Sequence, residues 1–226
     1  MTRQRVFWLA VAVSLILSLT PWAGILLYPF KLFTTWVHEC GHALAALLVG
    51  GRVMSITIQP NTSGLTQSLI PSGRLARGVV ASAGYLSAAA VGCLLITATR
   101  VPRRAHAILL GIGICMLVTV VLWMRNPFGV FAVVACGLGL VWLARRGMAD
   151  AVRFLLSLLA IQVALNAVYD IRVLFLIGRG RSDAATMEEL FLLPAWVWAT
   201  TWMVISVAML CATLWATDGR RLVKRS

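Results

Sequence analysis

The fold class that the sequence predicts is an all-α polytopic membrane protein, with six or seven transmembrane helices and one small β-hairpin. Three observations carry this. Of 226 residues, 61% are hydrophobic and 12% charged, with a mean hydropathy of +0.91; a soluble domain carries about 45–50% apolar and about 25% charged residues. The apolar residues fall into runs near the ~20 residues that cross a bilayer as a helix. Basic residues stand between the runs, as at Arg3 and Arg5, Arg74 and Arg77, Arg103 and Arg104, Arg145 and Arg146, and Arg220, Arg221, Lys224 and Arg225. That placement explains a formal charge of +13 by anchoring of helix ends at anionic headgroups. No basic face or aromatic stacking platform is readable, so nucleic acid is not expected as a partner. The expected setting is the lipid bilayer of the cell membrane, with 1–226 as one membrane-embedded domain.

The first run, Val6 to Phe30, follows a basic start. It is longer than a signal-peptide core and lacks a small-residue cleavage site, so it reads as a retained helix, kinked or broken at Pro21. The second, Leu32 to Val49, stops at Gly50-Gly51. From Arg52 to Gly73 the pattern changes. Val53 to Gln59 is β-branched and partly alternating, Pro60 to Gly64 is turn material, and Leu65 to Ile70 is again extended. This predicts a β-hairpin over 52–70, whose edges must lie at the interface or under protein. Leu75 to Ala98 and Ala105 to Met124 are ordinary spans. Phe128 to Leu143 has only 16 residues, a short or tilted span or half of a re-entrant turn at Asn126-Pro127. Val152 to Ile177 and Leu192 to Thr217 complete the set. Five cysteines lie inside the apolar runs without a C-x-x-C pair, which argues against a disulfide framework.

Ionisable groups inside a bilayer are costly and mark function by default. Within the spans they are His38, Glu39, His42, Asp170 and Arg172. His38 and His42, four apart, share a helix face and can bind one metal ion, with Glu39 placed to take a proton from its bound water. This is the H-E-x-x-H arrangement of zinc hydrolases, and it predicts a single Zn²⁺ with Glu39 as the catalytic base. Catalytic zinc usually has a third protein ligand. Asp170 is the candidate: with Gln162 and Asn166 it forms a polar stripe at intervals of four on an otherwise apolar helix. The alternative for Asp170 is an interhelical hydrogen bond or a pair with Arg172, but residues two apart do not share a face. Asn166 is placed to bind the substrate backbone or orient Asp170; a helix–helix amide bond is the other reading. Asp183 is the rival third ligand. Its setting, before Glu188 and Glu189, also reads as a helix N-cap with acids in the first turns. His106, beside Arg103-Arg104, reads as interfacial, and Cys40, two residues after His38, points away from the histidine face.

The stretch Trp36 to Ala46 contains His38-Glu39-Cys40-Gly41-His42-Ala43-Leu44-Ala45-Ala46. It resembles the zinc helix of the site-2 protease family of intramembrane zinc metallopeptidases (peptidase family M-50, B-like branch). That family commonly reads H-E-x-G-H-A-x-x-A, and each fixed position is matched. The family's small β-sheet is resembled by Arg52 to Ile70, with Gly64-Leu65-Thr66. Its later helix, often N-x-x-P…L-D-G, is resembled more loosely by Asn166 to Ile171: the Asp is present, the Pro and the following Gly are not. The resemblance implies hydrolysis of membrane-spanning or membrane-proximal segments of a membrane protein substrate. It implies Asp170 as third zinc ligand. The alternative is a catalytically inactive relative acting as a membrane-protein-binding scaffold.

Overall fold

Helix α1 (Arg3–Leu19) and helix α2 (Ala23–Leu48) divide where Pro21 stands in the sequence. The computed structural model describes residues 3–20, 23–99, 101, 104–177 and 182–222; over 166–177 and 217–222, and at a few positions near the N-terminus, it describes the backbone alone. The division differs from the expected run Val6 to Phe30. The second half of that run joins the next one, and α2 passes through Pro29. Near the start of a helix a proline leaves only one carbonyl, that of Ile25, without its i→i−4 donor, and the continuous apolar surface outweighs that loss.

A β-hairpin follows, β1 (Arg52–Ile58) and β2 (Gly64–Leu69), antiparallel, with Ile58 opposite Gly64, Ile56 opposite Thr66 and a bulge between Val53 and Ser55. Its turn is closed by Gln59 N–H to Ser63 O (2.8 Å) and carries Thr62 at φ 67°. Asn61 stabilises it by accepting from the Ser63 amide and hydroxyl. The hairpin folds back along α2: the Tyr28 hydroxyl donates to Pro60 O and the Thr35 hydroxyl to Thr62 O, both at 2.7 Å.

Six further helices follow among the described residues: α3 (Arg74–Ala98), α4 (Ala105–Trp123), α5 (Pro127–Arg146), α6 (Ala149–Ile177), the nine-residue α7 (Asp183–Phe191) and α8 (Ala195–Leu222). Helix α3 is central, packing on α2, α6, α7 and α8. Its buried face is rich in small residues, Gly78, Ala81, Gly84, Ala88 and Gly92, the composition that lets helices approach closely where lipid offers no hydrophobic drive. At the α2 crossing, a Cβ on Gly41 would overlap Ser87 and the Ala83 carbonyl. Gly113 and Gly137 set the α4–α5 crossing in the same way.

Helices α3, α4, α5 and the Ala195–Ala216 part of α8 are each long and apolar enough to cross a membrane. The short run Phe128 to Leu143 thus lies in a helix long enough for a full span, extended by Pro127 at the first helical position and by Arg145 and Arg146 in the last turn; charged residues there suit the helix dipole and the headgroups. The five cysteines are all free.

Candidate metal centre

The centre forms where α2, α3, α7 and the hairpin meet. Helix α2 turns His38, Glu39 and His42 inward, Glu39 and His42 being buried. His42 Nδ1 lies 2.7 Å from Val80 O of α3. A carbonyl only accepts, so Nδ1 carries a proton, which leaves Nε2 as the nitrogen turned to His38 and Asp183 and the one a metal would take. His38 Nε2 lies 3.0 Å from that nitrogen. The His38 ring is also edge-on to Tyr85 at 4.7 Å, and Tyr85 stacks on Trp202 of α8 at 5.1 Å.

Helix α7 brings the third group. Asp183 Oδ2 lies 3.3 Å from Nε2 of His38 and 3.3 Å from Nε2 of His42. The N-cap of α7 is Ser182, whose side chain accepts from the Ala185 amide. Capping is therefore done by the serine, which corrects the capping role read for Asp183, and the carboxylate one residue on is free to face the imidazoles. Burial favours the neutral acid, but hydrogen bonds and charge from His38 and His42 outweigh it and hold the Asp183 carboxyl well below the usual carboxylate range. Among the described residues, His38, His42 and Asp183 form the group able to hold a metal ion. The donor set fits one. A tetrahedral ion with ligands at about 2.0–2.1 Å has ligand–ligand edges of about 3.3 Å, and the three edges here are 3.0, 3.3 and 3.3 Å.

Glu39 lies against the hairpin. The Thr66 hydroxyl donates to its Oε2 at 2.6 Å and lies 3.0 Å from its main-chain oxygen. A Cβ on Gly64 would fall on the Glu39 carboxyl, and one on Gly84 would fall on both imidazoles. Each glycine is thus a close-approach position rather than a turn.

The sequence-derived candidates divide as follows. His38, Glu39 and His42 meet in one place. Asp170 and Asn166 lie on α6, and their side chains fall outside the described residues. Cys40 faces Thr119 of α4, and His106 is near Gly147 O at 3.4 Å, at the far end of α4 from the hairpin. The sequence does not mark Val80, Gly84 or Tyr85 as site residues, and Thr66 shows only as part of Gly64-Leu65-Thr66.

A protein-family model described as Peptidase M50B-like matches residues 8–213. No curated protein and no solved structure matches the chain significantly.

Proposed function

Because the chain belongs to the peptidase M50B-like family, within the site-2 proteases, we propose that it is a zinc metalloprotease of the cell membrane, hydrolysing peptide bonds in membrane-spanning or membrane-proximal protein segments. The observation that carries the reading is the triangle of His38, His42 and Asp183 beside a buried Glu39. These three residues would hold the zinc, with Asp183 in the place expected for Asp170. Zinc held there would supply a water acidified toward neutral pH and a Lewis acid for the scissile carbonyl. Glu39 would serve as the proton carrier, accepting at its carboxylate and donating to the leaving amine. Thr66 occupies Oε2, and Gly64, lacking a Cβ, lets the strand lie against the carboxyl without displacing it. In this reading α1, α2 and α6 are membrane-embedded too, which makes seven helices with the four long apolar ones.

The substrate must be extended at the scissile bond, because a helix turns its carbonyls to its own amides. The hairpin offers a place for such a segment. Ile56 and Ile58 direct their main-chain groups away from β2, so the residues opposite them, Thr66 and Gly64, direct theirs outward from β1. Strand addition along that β2 edge would lay the substrate beside Glu39. Ser68→Pro, which removes one outward amide, should slow cleavage several-fold with zinc retained; unchanged cleavage kinetics would refute strand addition.

The deciding experiment is zinc content of the detergent-purified protein beside cleavage of membrane-protein segments. Wild type should hold a single zinc and cleave. His38→Ala and Asp183→Ala should lose both metal and activity, and Asp170→Ala should keep its zinc. Zinc lost with Asp170→Ala and kept with Asp183→Ala would give the third position to Asp170. A wild type that takes up no zinc would overturn the metalloprotease reading.

A further inference from the structure

The connection between α4 and α5 holds the hairpin by main-chain hydrogen bonds. Asn126 Nδ2 donates to Ile58 O at 2.7 Å, and the Ile58 amide donates to Asn126 Oδ1 at 3.1 Å. One side chain thus satisfies both main-chain groups of one residue, as a neighbouring strand would. Beside it, the Arg125 amide donates to Ile56 O at 3.2 Å, and Met124 bridges Ile56 in the parallel sense. Asn126 is also the N-cap residue of α5, yet its side chain makes no capping bond. Asparagine is among the strongest N-cap residues; here its amide has left the helix end for the hairpin.

The residues so held are those across from Glu39. Ile58 pairs with Gly64, whose missing Cβ faces the Glu39 carboxyl, and Ile56 pairs with Thr66, whose hydroxyl holds Oε2. Ile56 and Ile58 are fully buried, at 0% exposure, so the hairpin cannot slide without dragging two core side chains. A one-residue slip would also turn Thr66 to the opposite face.

We infer that Asn126 is a positioning residue for Glu39: acting through Ile58 and the hairpin, it fixes Gly64 and Thr66 against the carboxylate and closes the β1 edge, leaving β2 as the edge that receives a partner strand. The catalytic part of this inference rests on the hydrolase reading above; the mechanical part does not.

The test compares Asn126→Ala and Asn126→Asp with wild type in the full-length, zinc-loaded protein. Three properties are measured: amide hydrogen exchange by peptide, zinc content, and labelling of Glu39 by a hydrophobic carbodiimide. Losing two hydrogen bonds should speed exchange of the amides in 52–69 by roughly tenfold or more, and should raise Glu39 labelling several-fold as the hairpin lifts. Zinc content and exchange within α2 and α3 should stay as in wild type. Asn126→Asp keeps the acceptor for the Ile58 amide and should fall between, which also serves if the alanine variant fails to fold. Hydrolysis should slow roughly tenfold through kcat. Unchanged hairpin exchange or unchanged Glu39 labelling overturns the inference, as does loosening spread evenly over α2 and α3, the mark of a purely structural role. A wild type that binds zinc but cleaves nothing would overturn the hydrolase reading, while exchange and labelling would still decide the clamp.

Discussion

Glu39→Gln should keep its zinc and lose hydrolysis by about three orders of magnitude, within the range that a positioned acid–base group contributes. The substitution is nearly isosteric. The amide oxygen can still accept from the Thr66 hydroxyl, so the 2.6 Å contact that seats the side chain survives. His38, His42 and Asp183 are untouched, so the donor triangle keeps its shape. What disappears is the basic oxygen that receives a proton. Zinc analysis and a cleavage assay on one preparation test this. Residual activity near wild type would remove Glu39 from the chemistry, and loss of zinc would show that its carboxylate is needed to assemble the centre.

Gly84→Ala is expected to weaken zinc binding by at least roughly a hundredfold, beyond the usual effect of disturbing a ligand's supporting contacts. The added Cβ would lie 2.5 Å from Nε2 of His38 and 2.5 Å from Nε2 of His42. Helix α3 cannot retreat easily, because α6, α7 and α8 also pack on it. The imidazoles must therefore turn, and their lone pairs with them. The helix itself should not suffer, since alanine is a better helix former than glycine by about 1 kcal/mol. Gly111→Ala on α4, where nothing lies within 4 Å of the new methyl, is the matched control and should leave zinc affinity as it was. Equal zinc affinity in both variants would mean that the metal does not sit between α2 and α3.

Much of this arrangement can be read in the sequence because it is local. His38 and His42 share a face through helical periodicity alone, and Glu39 follows from its neighbour. The hairpin shows in β-branched residues around Pro60 to Gly64, and its strands lie within a residue or two of expectation. The parts that stay hidden depend on distant packing. Asp183 looks like a cap because it precedes a short helix with acids in its turns; that Ser182 takes the capping role is a tertiary choice. Gly84 sits in an apolar helix, where a glycine usually signals little, and its meaning appears only when α2 is laid across it. Asn126 before Pro127 announces a turn, but nothing local says that its amide will serve as a stretch of strand. The break at Pro21 is legible, but the end of the first run at Phe30 is not a helix end: the packing of α2 carries the helix on through Pro29 and Lys31 to Leu48.

Helix α7 is held to its neighbours by Met187 and Phe191 against α3 and by Glu188, which accepts from the Ala195 amide at the start of α8. Through Asp183 it also reaches the two imidazoles of α2. An ion in the triangle would therefore work as a cross-link between parts of the chain far apart in sequence. By mass action, any ligand that binds only the folded state adds to stability in proportion to the logarithm of its free concentration once that exceeds Kd. The metal would then be a structural member of the bundle as well as its reagent, and the hold of α7 on α2 would follow the availability of zinc around the protein.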